Sequence, residues 1–71
     1  MHKILVIEDE EQLLEEVVAT LRFENFDAIG ANNGLIGLRM AREHLPDLIV
    51  CDVMMPELNG YEVIQELRSD L

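Results

Sequence analysis

Three acidic residues stand where folding could bring them together. Glu8 and Asp9 directly follow the apolar run Ile4-Leu5-Val6-Ile7, and Asp52 directly follows Leu48-Ile49-Val50-Cys51. Unbroken aliphatic runs of this length suit strands covered on both faces, as in a parallel sheet. If the two strands are parallel neighbours, Glu8, Asp9 and Asp52 converge at their carboxyl ends, the edge where open α/β sheets bind ligands. Three carboxylates at one point repel one another unless a cation sits among them. The plainer readings are that Asp52 caps the loop after a strand, and that Asp9 and Glu10 offer carboxylates to the free amides at a helix start.

The elements that must position these acids follow from periodicity. A first strand is expected over residues 3–8. Leu13, Leu14, Val17, Val18 and Leu21 then recur at helical spacing, with Gln12, Glu15, Glu16, Arg22 and Glu24 on the other face. Asn25 is a left-handed stop for that helix. Residues 26–31 read as a short second strand, and Asn32-Asn33-Gly34 as a turn that can cap the next helix. Leu35, Leu38 and Ala41 or Arg42 mark the inner stripe of this second helix, helped by Ile36 and Met40. Gly37 in its interior costs about 1 kcal/mol against alanine. His44-Leu45-Pro46 ends the helix, because proline cannot extend it and restricts the residue before it. The third strand is expected over residues 48–52 and a loop over 53–59. Gly60 precedes a third helix whose apolar side is Val63, Ile64 and Leu67. A β-α-β-α-β-α pattern with short connections implies parallel strands joined by right-handed crossovers. Two apolar strands ending in acid suggest a sheet ordered 2-1-3 with helices on both faces.

Composition narrows the function classes. The chain has 71 residues, room for one domain with a thin core, and its 49% hydrophobic content is globular rather than disordered. Fifteen acidic residues against five Lys and Arg give a formal charge of −10. That disfavours direct nucleic-acid binding, which needs cations to displace phosphate counterions, and attachment to anionic membranes. The single cysteine, Cys51, rules out an intrachain disulfide framework and suits a reducing cytoplasm. Cys51 itself reads as a small buried hydrophobe. The start of the chain has too few apolar residues before Glu8 for a signal peptide, and no segment is long enough to span a bilayer.

Taken together, Glu8-Asp9, Asn33-Gly34, Pro46-Asp47, Asp52 with Met55-Pro56, and Asn59-Gly60 resemble the receiver domain of two-component response regulators. The fold implied is a three-layer flavodoxin-like α/β domain. Residues 1–71 would be its first three strand–helix units, a truncated receiver with strands four and five missing. The resemblance implies that Asp52 is the phospho-acceptor and that Glu8 and Asp9 help to hold Mg²⁺. It further implies that Asp52 and the backbone carbonyl of Met54 complete the metal's ligands, while Pro56 and Gly60 shape the loop. The implied partner is a sensor histidine kinase or a phosphotransfer protein. Receivers also use a threonine or serine after strand four and a lysine after strand five. Lys3 is no substitute, because it begins strand one at the opposite end of the sheet. The fragment is therefore expected to be weakly active or inactive.

Three functions compete at this stage. They are a phosphorylatable signalling module, a half-receiver that acts only in assembly, and a stand-alone metal-dependent hydrolase. The last would need a general base or positioned cation that these residues do not supply. Residues 48–52 would form an apolar sheet edge with no lysine or proline inside it to blunt pairing. A homodimer through the third strand is expected.

Overall fold

The computed structural model describes residues 2–52 and 60–69. Three strands, β1 (Lys3–Ile7), β2 (Asp27–Ala31) and β3 (Leu48–Cys51), alternate with three helices, α1 (Glu11–Phe23), α2 (Gly34–His44) and α3 (Gly60–Ser69). The strands form one sheet in the order β2-β1-β3, with β1 parallel to both neighbours. This is the 2-1-3 arrangement expected from the alternation of elements. The residue pairs Ile4↔Leu48 through Ile7↔Cys51 fix the register of β3 against β1.

Local chemistry sets the helix ends. Helix α1 closes with Asn25 at φ 69°. Its N–H donates to Arg22 O, and the Phe26 N–H donates to Leu21 O, both at 3.0 Å. These paired bonds make a Schellman stop around the left-handed residue. Helix α2 opens on Asn33, whose Oδ1 accepts from the Ile36 N–H at 2.8 Å. It closes on Leu45 in the left-handed region, just before Pro46.

Two expectations about α2 are corrected. Leu35 is 59% exposed, and the buried stripe consists of Gly34, Gly37, Leu38 and Ala41. Gly37 does more than weaken the helix: a Cβ there would run into Ile7, meeting its Cγ1 at 2.8 Å and its Cδ1 closer still. The missing side chain lets α2 lie directly on β1. Leu35 is turned outward because the two glycines occupy the line of closest approach.

The core gathers on the α2/α3 side, where Leu5, Ile7, Ala31, Leu38, Ala41 and Val63 pack together. On the opposite face α1 covers Ile4, Val6 and Ala28, all buried, although α1 itself has no fully buried residue. In α3, Val63 is fully buried while Ile64 is 48% exposed, so only part of the expected apolar side faces inward.

Candidate functional site

Strands β1 and β3 each stop one residue short of their expected ends, and this leaves the acids at the rim. The last ladder bonds are Glu8 N–H to Ala31 O and Asp52 N–H to Ile7 O, both at 3.0 Å. These bonds anchor the backbone of both acidic residues, while their side chains stand beyond the pleat. Carboxylate oxygens of Glu8, Asp9 and Asp52 all lie within 4.8 Å of one another. Glu8 and Asp52 are half-buried and Asp9 is exposed. The structure therefore brings together the three acids singled out from sequence. Met54 lies outside the described residues, as do Met55, Pro56 and Asn59.

Glu10 occupies the N-cap position of α1 with no side-chain cap bond, and Glu11 is the acid of the first turn. Glutamate is one methylene longer than the residues that cap well. Instead the Glu10 N–H donates to Glu8 Oε2 at 3.1 Å, a contact that the sequence pattern did not suggest.

Crowding shows in the electrostatics. The Glu10 N–H favours the charged form of Glu8, but partial burial and the neighbouring Asp9 and Asp52 outweigh it, so the Glu8 carboxyl titrates above its ordinary value. Burial, with Asp52 and Glu8 nearby, also pushes the Cys51 thiol up. A neutral Cys51 thiol approaches the Asp52 carbonyl oxygen at 3.6 Å, which agrees with its reading as a small hydrophobe. All three donors at the rim are hard oxygens, the type that Mg²⁺ prefers, and the excess negative charge there is what a divalent ion would neutralise. The residues fit such an ion.

Lys3 sits at the other end of the sheet, as expected. Its N–H donates to Asp47 Oδ2 and its carbonyl accepts from the Asp47 N–H, each at 2.8 Å. Asp47 also stands 3.8 Å from His2 Nδ1, an exposed pair of little energetic weight. This clasp ties the starts of β1 and β3 together. No described helix is long and apolar enough to cross a membrane.

A family model for the response regulator receiver domain matches residues 4–70. The alkaline phosphatase synthesis transcriptional regulatory protein PhoP of Bacillus subtilis is 44% identical over 67 residues, covering 94% of this chain and 28% of PhoP. Among solved structures, the chemotaxis protein CheY4 of Vibrio cholerae superposes with a TM-score of 0.94 at 28% identity, covering 99% of this chain and 58% of that one. The response regulator TrrA of Thermotoga maritima, solved in complex with Mg²⁺–BeF, has a TM-score of 0.91 at 33% identity, covering 99% of this chain and 61% of TrrA. The chain spans about a third of the length of the curated relatives it matches.

Proposed function

This chain belongs to the response regulator receiver domain family, and on that premise we propose that it is the phospho-accepting module of a two-component response regulator. Residues 1–71 correspond to the first three strand–helix units of a receiver. The observation that carries the reading is the convergence of Glu8, Asp9 and Asp52 within 4.8 Å at the carboxyl rim of β1 and β3.

Asp52 is the acceptor. One of its carboxylate oxygens attacks the phosphorus of a phosphohistidine on a sensor kinase or phosphotransfer protein. The P–N bond breaks, the imidazole leaves with the electron pair, and an acyl phosphate remains on Asp52. The backbone bond from Asp52 N–H to Ile7 O holds the nucleophile in place at the strand end. Glu8, Asp9, Asp52 and the Met54 carbonyl would hold Mg²⁺. When bound, the ion supplies charge neutralisation between the incoming phosphoryl oxygens and the carboxylates. TrrA, solved with Mg²⁺–BeF, is a relative in which both groups have been seen together. The chain is a signalling module rather than a turnover enzyme, it acts in the cytoplasm, and it makes no direct contact with nucleic acid or membrane.

Acetyl phosphate with Mg²⁺ tests the assignment. A mass gain localised to Asp52, and absent from an Asp52→Asn variant, is the expected result. Stable modification elsewhere with Asp52 untouched would remove the acceptor role. A second reading, self-association through β3, is favoured by the exposure of Leu48 at 55% and Val50 at 43% on a strand with no described neighbour on its outer side. A half-receiver used only for assembly would dimerise but show neither phosphorylation nor Mg²⁺ affinity.

A further inference from the structure

Strand β2 lies at the side of the sheet away from β3. In the 2-1-3-4-5 order of flavodoxin-like sheets later strands add beyond β3, so β2 stays outermost. An outermost strand presents a row of N–H and C=O groups that another chain can pair with. In a parallel pair, alternate residues turn both backbone groups toward the same neighbour. The Asp27 N–H donates to His2 O, and Ala31 O accepts from the Glu8 N–H. Residues 27, 29 and 31 therefore face β1, and Ala28 and Gly30 turn their backbone groups outward.

These two residues differ. Gly30 is exposed, as an edge residue should be, whereas Ala28 is 0% exposed. A residue whose backbone points off the sheet is hidden completely only if something lies across the edge. The Arg22 Nε–H donates to Ala28 O at 3.0 Å. Arg22 reaches it from α1, where Leu14, Val18 and Arg22 follow one another at four-residue spacing along one row. The row runs against β2: a Cβ on Gly30 would meet Leu14 Cδ1 at 3.0 Å and Val18 Cγ2 at 3.2 Å. One turn further along α1, the row arrives at Ala28 with an arginine. Sequence periodicity puts Arg22 on the polar side of α1, but its bond carries it over the strand edge. Arginine suits the position, because its long apolar stem covers surface while its planar head donates from the end.

We propose that Arg22 is a latch that closes the outer edge of β2 against strand addition by a second copy of this chain. An added strand would run about 4.8 Å from β2, through the space that the Arg22 head crosses to reach Ala28 O. With that carbonyl occupied, Gly30 alone offers outward groups, and a single residue falls short of the roughly three that the shortest strands need.

Arg22→Ala tests the latch, because it removes both head and stem and installs a strong helix former. Arg22 is exposed, so the core is left intact, which amide protection at Leu5 verifies. The substitution adds one unit of negative charge to a chain already at −10, so any gain in association is not electrostatic. The readout is amide exchange at Gly30, whose N–H faces outward on the side of the sheet away from β3, so that association elsewhere leaves it unchanged. In Arg22→Ala the protection of Gly30 should rise with protein concentration, and in the unaltered chain it should not. Concentration-independent exchange in both proteins, or the same concentration dependence in both, overturns the proposal. The unaltered chain gives a variant-free check. Exchange of the Arg22 Nε–H with water should be slowed by its bond to Ala28 O, and exchange as fast as that of free arginine contradicts a latch.

Discussion

The two faces of the sheet are covered to different degrees. Beneath α2 and α3, Leu5 and Val63 are fully buried and Ile7 is 1% exposed, with Gly37 drawing α2 down onto the strand. On the α1 side the cover stops at β1. Ile4 and Val6 are buried, but Leu48 and Val50 beside them are 55% and 43% exposed. Among the described residues, β1 is thus enclosed on both faces and both edges, whereas β3 is covered on one face and one edge. The acidic rim sits at the junction, with Glu8 and Asp9 following the enclosed strand and Asp52 following the open one. Rigidity at the site is therefore supplied mainly from the β1 side.

Substitutions can sharpen that contrast. Leu5→Ala should cost about 2–5 kcal/mol through lost burial and a cavity, which is most of the stability a domain of this size can hold. Urea denaturation should show it largely unfolded. Gly37→Ala should cost about 1–3 kcal/mol by overpacking against Ile7. Adding Ile7→Val should recover part of that loss in a double-mutant cycle, and strict additivity would show that the two residues are not in contact. Leu48→Ala, by contrast, should change the stability of a single copy by no more than about 1 kcal/mol. An effect as large as that of Leu5→Ala would mean that the α1-side face of β3 is covered after all.

A smaller effect is expected at the rim. The Glu8 carboxyl is raised in the folded state, so folded Glu8 holds a proton over a pH range where unfolded Glu8 has lost it. Stability measured in chelator should therefore rise as pH falls from neutral toward the folded-state value of Glu8. Glu8→Gln should remove that slope and be the more stable protein at neutral pH without divalent ion. Chemical denaturation across pH, with and without the substitution, checks both signs.

The elements were legible in the sequence because the α1 and β1 patterns are unambiguous and because Asn25, Asn33 and Pro46 are strong local stops. The meeting of Glu8, Asp9 and Asp52 was legible too, since two apolar strands ending in acid leave few alternatives in a parallel sheet. What was not legible came from contacts. Leu35 fits the helical stripe as well as Leu38, and only the close approach at Gly34 and Gly37 turns it outward. The bond from Glu10 N–H to Glu8 Oε2 depends on a turn geometry that residue types do not encode.

The most direct test of a shared cation site uses Mn²⁺, which takes the same carboxylate ligands as Mg²⁺ and broadens nearby NMR signals. At substoichiometric Mn²⁺ the amides of Glu8, Asp9 and Asp52 should broaden together, while His2 and Asp47 at the far end of the sheet remain sharp. Broadening spread evenly over Glu15, Glu16 and the other acids of α1, or broadening at Glu8 without Asp52, would contradict a single site built from both strands.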